Sequence, residues 1–374
     1  MAIIAIIIVA FLVHVFLNKI YAKLWKKDLE ADVQFQKEPS MEGEKGYLTE
    51  TISNRKWMFL PILQVGFQLH RNLLFADGEN ASVSDQSYKR DIFSVGSYQK
   101  ITRTIPFYCS KRGYYELKNI ELVTRDLLLT GKHYETLQKW DQLYVYPRLL
   151  NDKRLDISFQ KIMGSILAKR NLYEDPFEFR EIREYQPMDP MNKINWKASA
   201  RSDQWMVNLY GSTSAQEVMI LLDVEDETIW KYDEIHEEGI RLAASYASRC
   251  VENGIPVGVL TNGRDVLTKE IFQLAVGSGK QQVRLVNEGL SRLDLTQAPE
   301  PMEHILEKER QNLESTQKTY IMISKNQRVS CYELFLELLH QGTNGIWIST
   351  LYNDMELTLP QNGNLPLIYW EVEK

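Results

Sequence analysis

The sequence predicts an N-terminal transmembrane helix, then a β-sandwich domain, then an open, doubly wound α/β domain. Three patterns carry this prediction. Residues 1–17 are apolar except for one histidine, residues 33–149 alternate with a period of two, and residues after 217 alternate apolar runs with helical spacing. The chain has 374 residues. This length suits two domains, because single hydrophobic cores rarely grow beyond ~250–300 residues.

Composition narrows the classes of function. A hydrophobic share of 44% with 25% charged residues excludes a disordered chain, because enough apolar surface can be buried to offset the entropy of ordering. The 44 basic and 50 acidic residues give a net charge of −6, which argues against nucleic-acid binding. The cysteines Cys109, Cys250 and Cys331 lie far apart without Cys-x-x-Cys spacing. They therefore predict a reducing compartment and neither a disulfide framework nor a zinc site.

Residues 1–27 predict a membrane anchor with a basic flank. The apolar run approaches the ~20 residues that a spanning helix needs. The lysines that follow it are Lys19, Lys23, Lys26 and Lys27. A secretory signal peptide would carry its positive charge before the apolar run. By the positive-inside rule, we expect a single-pass protein of the cell membrane with residues 28–374 in the cytoplasm.

Residues 28–150 predict the β-sandwich. Between 63 and 70, apolar and polar residues alternate, as in a strand with one buried face. Asp77-Gly78 and Arg112-Gly113 are turn-forming pairs between such runs, and no long helical period intervenes. We expect this domain to act as a spacer or a docking unit.

Residues 214–374 predict the α/β domain. Its apolar runs cover residues 218–222, 256–260, 320–323 and 346–348. Helical spacing separates these runs, which is typical of parallel strands buried on both faces. Ligands of such sheets bind at the carboxyl ends of the strands. The residues expected there are Asp223, Thr261 and Ser324.

Residues 151–213 predict a linker that contains a dense Arg, Tyr and Trp signature. Its part from 173 to 210 fits neither a sustained helix nor an alternating strand. The candidate partner-binding residues are Arg183, Tyr185, Asp189, Trp196 and Arg201. Their charges can form charge-assisted hydrogen bonds, and their rings combine an apolar body with a polar tip. The same properties suit an internal structural role, so both roles stay open. We expect Trp196 to be buried and structural, and at least one of Arg183 and Arg201 to bind a partner.

This signature resembles that of the domain of unknown function 58 family, whose members join it to a von Willebrand factor A-like domain. The matching residues are Phe179, Arg183, Tyr185, Pro187, Asp189, Ile194, Trp196, Ser199, Ala200, Arg201 and Asp223, with Met188 in place of a family glycine. Further matches are Arg112, Gly113, Tyr115 and Asp126. The resemblance thus extends from about Cys109 to the C-terminus. It implies a von Willebrand A-like fold and partnership with a MoxR-type AAA+ ATPase in chaperone-like assembly or maturation.

The loop after the first α/β strand predicts a degenerate metal site that holds no metal. Metal-competent von Willebrand A domains carry Asp-x-Ser-x-Ser there, whereas Glu225 and Glu227 follow Asp223 in this chain. Lys325 stands near the end of a later strand, where its charge would repel a cation. A solvated acidic loop is the favoured interpretation, and loose calcium binding by these carboxylates is the alternative.

Sequence motifs of an enzyme active site are missing. There is no phosphate-binding Gly-x-x-x-x-Gly-Lys, no dinucleotide-binding Gly-x-Gly-x-x-Gly after a strand, no Gly-x-Ser-x-Gly and no His-Glu-x-x-His. We therefore predict a non-enzymatic adaptor without cofactor or catalytic residues. The alternatives are a metal-dependent, adhesion-type ligand-binding domain and a hydrolase that uses the carboxylates of residues 223–227.

Overall fold

A computed structural model describes the chain as two units, Met1–Arg148 and Leu149–Lys374. The described residues are 2–76, 81–83, 86–126, 131–172, 179–187, 189–210, 217–312, 318–340, 343–360 and 365–373. The division falls near residue 150, where the sequence predicts the end of the sandwich.

The first unit is a helix followed by a β-sandwich. Its elements are α1 (Ala2–Leu24), β1 (Leu29–Phe35), β2 (Ser40–Met41), β3 (Lys45–Asn54), β4 (Leu60–His70), β5 (Leu73–Phe75), β6 (Ala81–Val83), β7 (Gln86–Val95), β8 (Lys100–Cys109), β9 (Gly113–Arg125) and β10 (Lys132–Tyr146). One sheet has the order β1-β3-β8-β5 and the other β2-β10-β9-β4-β7-β6. The predicted β-rich domain is confirmed.

The period of two builds the core of the sandwich. Along β3 the residues are alternately exposed and buried, and Leu48 and Ile52 are among those that point inward. Leu63, Val65 and Phe67 of β4 contribute to the same cluster of buried side chains from the other sheet. Two inner faces that meet in this way form the core of a sandwich.

Helix α1 confirms the predicted apolar segment. Its part Ile6–Leu24 is long and apolar enough to cross a membrane, and only 6% of it is buried. The 19 residues of this part correspond to roughly 28 Å at ~1.5 Å per residue, close to the ~30 Å of a hydrocarbon core. The last turn of α1 is not exposed in this way. Tyr21, and Trp25 just after the helix, are buried against the sandwich.

The second unit contains a small two-stranded sheet and a larger α/β sheet. Its elements are α2 (Lys153–Leu172), β11 (Phe179–Glu184), a 3-10 turn (Met191–Lys193), α3 (Trp196–Ser202), β12 (Met206–Tyr210), β13 (Glu217–Leu222), α4 (Asp233–Glu252), β14 (Val257–Asp265), β15 (Ile271–Gly277), α5 (Lys280–Ser291), β16 (Leu293–Asp294), α6 (Met302–Gln311), β17 (Lys318–Ser324), α7 (Val329–His340), β18 (Asn344–Tyr352) and β19 (Leu367–Val372).

Most strands of the larger sheet are parallel. The order is β15-β14-β13-β17-β18-β19, with β16 also paired to β14. Strand β13 is parallel to both β14 and β17, and β15 is antiparallel to β14. The chain therefore extends the sheet first on one side of β13 and later on the other. Ligands of open α/β sheets bind at this reversal, outside the carboxyl ends of the strands.

Helices cover both faces of this sheet. Val218, Ile220 and Leu222 belong to a cluster of buried residues that includes side chains of α2, α4 and α5. Met219 and Leu221 point the other way and join buried side chains of α6 and α7. Because both faces of β13 are buried, its sequence is a continuous apolar run rather than an alternating one.

Helix α2 differs from the sequence prediction. Residues 151–213 are predicted to be a linker, but 20 of them form α2. Leu155, Phe159 and Ile162 of α2 are buried in the same cluster as α4. Their spacing of four and three residues places them on one face of a helix. This part of the predicted linker is thus a packed element of the α/β domain.

Candidate functional site

The carboxylate of Asp223 lies buried at the reversal point of the sheet. Its Oδ1 accepts hydrogen bonds from Asn262 Nδ2 at 2.7 Å and from the backbone N of Glu225 at 2.9 Å. Its Oδ2 accepts one from Ser324 Oγ at 2.7 Å. Burial raises the pKa of Asp223 above its ordinary value. Asp223 and Ser324 therefore meet as the sequence predicts, and Asn262 is a further member of the site.

Asn262 and Ser324 are themselves held in place. Asn262 Oδ1 accepts a hydrogen bond from the backbone N of Val224 at 2.9 Å, and Ser324 Oγ accepts one from that of Asn326 at 2.8 Å. Thr261 is buried, and its hydroxyl accepts from the backbone N of Gly263 at 3.2 Å. The residue after Thr261, rather than Thr261 itself, thus completes the site. Protein donors occupy both oxygens of Asp223.

The two glutamates of the degenerate site bind protein donors as well. Glu225 Oε2 accepts hydrogen bonds from Arg328 Nη2 at 2.6 Å and from the backbone N of Met302 at 3.1 Å. Glu227 Oε1 accepts one from the backbone N of Gln327. The favoured interpretation of a solvated acidic loop is therefore wrong for Glu225, whose charge is neutralised by an arginine that the sequence did not single out.

Asp226, in the same loop, is also paired with basic groups. Its Oδ1 lies 2.9 Å from His236 Nε2 and 3.8 Å from Lys325 Nζ. Burial alone would raise the pKa of Asp226. The hydrogen bonds from His236 and the backbone N of Tyr232, together with the charges of His236 and Lys325, outweigh burial, so the pKa is lowered. Lys325 Nζ also lies 4.5 Å from the centre of the Tyr232 ring. Within the described residues, no group of three or more His, Cys, Asp or Glu side chains is arranged to hold a metal.

These contacts predict that magnesium does not bind at Asp223. Millimolar magnesium should leave the melting temperature of the full-length protein unchanged, because the carboxylates already bind protein donors. A site with micromolar affinity would instead stabilise the protein by several RT at that concentration. Calorimetric melting with magnesium, and with calcium for the alternative, measures this. An upward shift of several degrees with either ion would contradict the prediction.

The signature segment, defined here as residues 179–210, folds around β11 and β12. These strands are antiparallel, with Arg183 opposite Val207. Ile194 and Val207 are buried. Asn195 caps α3 by accepting a hydrogen bond from the backbone N of Ala198 at 2.9 Å. The buried Ile194 matches the family signature and has a structural role.

Three of the candidate partner-binding residues contact other residues of this segment. Arg183 binds Asp189 through two hydrogen bonds, of 2.7 Å and 2.6 Å. The hydrogen bond from Arg183 holds the pKa of Asp189 below its ordinary value. Tyr185 packs edge-on against Trp205, with ring centres 5.4 Å apart. Arg183, Tyr185 and Asp189 thus stabilise the turn between the strands of the segment, which favours the structural role for them.

The other two candidates face solvent. Trp196 is 65% exposed, and no residue of α3 is buried. The expectation that Trp196 is buried is therefore wrong, because α3 is a single short helix with no face packed into a core. Arg201 is also exposed, and it has no salt bridge with another described residue. Trp196 and Arg201 remain accessible to a partner.

Further exposed apolar side chains were missed by sequence reasoning. Those in the signature segment are Phe179, Ile182, Met191 and Trp205. In the loop after β13, Ile229 is 92% exposed and Trp230 is 69% exposed. Clusters of large exposed apolar side chains often mark interaction sites. The loop between β13 and α4, residues 223–232, therefore offers a second candidate surface and is called the strand-end loop below.

Several solved structures are similar to part of the chain. The CARDB domain of a Pyrococcus furiosus protein in complex with di-metal ions shares 14% identity, over 32% of this chain and 85% of that chain, with a TM-score of 0.22. Domains D2 and D3 of the major pilin SpaD from Corynebacterium diphtheriae share 9% identity, over 31% and 52%, with a TM-score of 0.23. A non-cellulosomal cohesin from Archaeoglobus fulgidus shares 11% identity, over 31% and 91%, with a TM-score of 0.21.

The comparison with sequence families covers the signature segment and the α/β domain. None of the curated proteins is similar to the chain by sequence. The model of the family described as "Protein of unknown function DUF58" matches residues 181–373, which is more than half of the 374 residues. The matched range begins later than the predicted resemblance, which starts at about Cys109. Over that range, the chain belongs to the DUF58 family of proteins of unknown function.

Proposed function

We propose that the protein is a membrane-anchored, non-enzymatic adaptor. Helix α1 spans the cell membrane once, and the lysines after its apolar part keep the two folded units in the cytoplasm. The exposed apolar helix supports the anchor, because an apolar helix of this length in water would be costly. The three cysteines are free rather than paired in disulfides, which fits a reducing, cytoplasmic location.

In this proposal, the α/β domain is von Willebrand A-like but does not need a metal. The support is the strand order around β13 and the position of Asp223 directly after that strand. The hydrogen bonds to Asp223 and the pairing of Glu225 with Arg328 replace the interactions that a cation would make. The domain is thus a rigid scaffold rather than a metal-dependent receptor.

The signature segment carries the partner-binding surface in this proposal. The single observation behind this assignment is that Trp196 and Arg201 match the family signature yet are exposed. Buried members of the signature, such as Ile194, are accounted for by packing. Trp and Arg are the residue types most enriched among residues that dominate interface energies. The partner proposed from the family resemblance is a MoxR-type AAA+ ATPase.

Truncation of Trp196 tests this surface. We expect Trp196→Ala to raise the Kd for the purified MoxR-type ATPase about thirtyfold or more, since losing a dominant interface residue costs ~2 kcal/mol or more. The melting temperature should stay nearly unchanged, because the side chain is exposed. Interferometry on the full-length protein in lipid nanodiscs measures the Kd.

Two matched variants accompany this test. Trp140→Ala removes an exposed tryptophan of the sandwich and should leave the Kd unchanged. Trp230→Ala removes one from the strand-end loop. If Trp230→Ala weakens binding and Trp196→Ala does not, the partner binds the strand ends instead. If the native protein does not bind the ATPase at all, the proposed partner is wrong.

A further inference from the structure

The carboxyl end of α1 is fixed to the sandwich by buried contacts. Tyr21 and Trp25 are buried, and Tyr21 Oη lies 2.9 Å from Thr124 Oγ1. Lys56 Nζ donates hydrogen bonds to the carbonyl oxygens of Trp25 at 2.7 Å and Lys27 at 2.9 Å. The ammonium thereby satisfies carbonyl groups near the helix end. The sandwich is thus held close to the point where α1 leaves the membrane.

Two turns of the sandwich lie at this same end. Strand β3 ends at Asn54, whose register partner is Leu29, the first residue of β1. Residues 55–59 therefore start beside the chain that leaves α1. The backbone N of Tyr98 donates to Lys56 O at 3.1 Å, so the turn between β7 and β8 contacts the same segment. The turn that contains Lys56 is thus hydrogen-bonded to the chain at the end of α1, and the turn that contains Tyr98 is hydrogen-bonded to Lys56.

Large aromatic side chains project from these two turns. Trp57 is 68% exposed, Tyr98 is 71% exposed, and Phe59 is also exposed. Lys56 and Met58 alternate with them and are buried, so the turn is anchored while its aromatic side chains point away from the sandwich. Tyr98 has a φ of 54°, a left-handed conformation that is rare for a bulky residue. Such backbone strain is concentrated at functional sites.

We propose that this end of the sandwich rests in the interfacial layer of the bilayer that α1 spans, with Trp57, Phe59 and Tyr98 inserted among the lipid headgroups. Rings with an apolar body and a polar edge concentrate at this depth of a membrane. The exposed charges beside the turns are mixed, with Lys27 and Lys100 next to Asp28 and Glu30, so the aromatic side chains and the attachment to α1 carry the proposal. The inference rests on the membrane anchor of the proposed function and adds a second, peripheral contact. It fixes the tilt of the sandwich on the membrane.

Site-specific labels measure this contact in the full-length protein. Each of Trp57 and Tyr98 is replaced by cysteine and labelled with a polarity-sensitive fluorophore, because the native cysteines are buried and do not compete. Tyr47→Cys is the matched control, since Tyr47 is exposed near the other end of β3. Leu12→Cys reports on α1 itself. The nanodiscs contain equal parts of phosphatidylcholine and phosphatidylglycerol. The quenchers are a lipid nitroxide near the headgroup and a water-soluble nickel chelate.

We expect the lipid nitroxide to quench the labels at 57 and 98 severalfold more than the label at 47, and the nickel chelate to show the reverse order. Equal quenching at 57 and 47, with the Leu12 label still quenched by lipid, would overturn the inference and leave the anchor intact. Protection of the label at 57 that appears only after the ATPase is added would also overturn it, in favour of a protein partner. A water-accessible label at 12 would instead refute the anchor.

Discussion

Replacing Asn262 by leucine is expected to destabilise the α/β domain by about 3–5 kcal/mol, the cost of removing one partner from a buried charge. Asn262 is fully buried and donates to Asp223 Oδ1 at 2.7 Å. Part of this cost arises at Val224, because the same substitution leaves its backbone N without an acceptor, and an unmade buried hydrogen bond costs ~1–3 kcal/mol. Calorimetric melting of the full-length protein should show a loss of roughly 10 °C in the transition of this domain. An unchanged transition would contradict the account of Asp223 as a carboxylate held by protein donors.

Asp223→Asn is the matched control, with the opposite expected sign. The amide keeps the shape of the side chain, and its nitrogen can donate to Ser324 Oγ. The pKa of Asp223 is raised by burial, so its contribution to stability is present below the unfolded value of about 4 and falls as the pH rises through the folded value. At neutral pH the variant should therefore melt at or above the native temperature. Its advantage should shrink as the pH falls towards 4, because native Asp223 is then protonated as well. A variant that melts well below the native protein at neutral pH would show that the buried charge is favourable.

Trp25→Ala is expected to lower the melting temperature of the sandwich sharply. Trp25 is buried, and its ring stacks on His133 with centres 6.3 Å apart. Truncating a buried tryptophan costs ~3–5 kcal/mol, because the surrounding residues do not fill the cavity. The transition of the α/β domain should be unaffected, since Trp25 belongs to the first unit.

Trp140→Ala in the same unit supplies the control for Trp25, because that ring is exposed. The melting temperature of the Trp140→Ala variant should stay close to the native value. Calorimetry in nanodiscs resolves the two transitions. If Trp25→Ala melts like Trp140→Ala, the end of α1 is not packed on the sandwich, and the proposed membrane contact of Trp57 loses its geometric basis.

The sequence predicts the main elements where periodicity is strong. The alternation along β4 identifies a strand with one buried face, and the apolar run 218–222 identifies a strand with two. Helix α2 was predictable in principle, since Leu155, Phe159 and Ile162 have helical spacing. The surrounding Arg, Lys, Gly and Ser residues weaken that pattern, so the sequence alone predicts a linker at this position.

The details of the candidate site depend on contacts between distant residues. Asn262 reaches Asp223 because β13 and β14 pair with Leu222 opposite Thr261, and that register is not written in either strand alone. The pairing of Glu225 with Arg328 joins residues 103 positions apart. Arg183 and Asp189 are only six positions apart, yet their pairing needs the turn that follows β11. The exposure of Trp196 follows from the shortness of α3, which no residue type in the signature reveals.

Photo-crosslinking from defined positions tests the proposed adaptor function most directly. A photoreactive phenylalanine is placed at 196 in the signature segment, at 230 in the strand-end loop and at 140 in the sandwich, each in the full-length protein in nanodiscs with the purified MoxR-type ATPase. All three native side chains are exposed tryptophans, so the positions are matched in size and accessibility. We expect a crosslinked complex from position 196 and none from position 140. Crosslinking from position 230 alone, or from none of the positions, would contradict the proposal that the signature segment binds this partner.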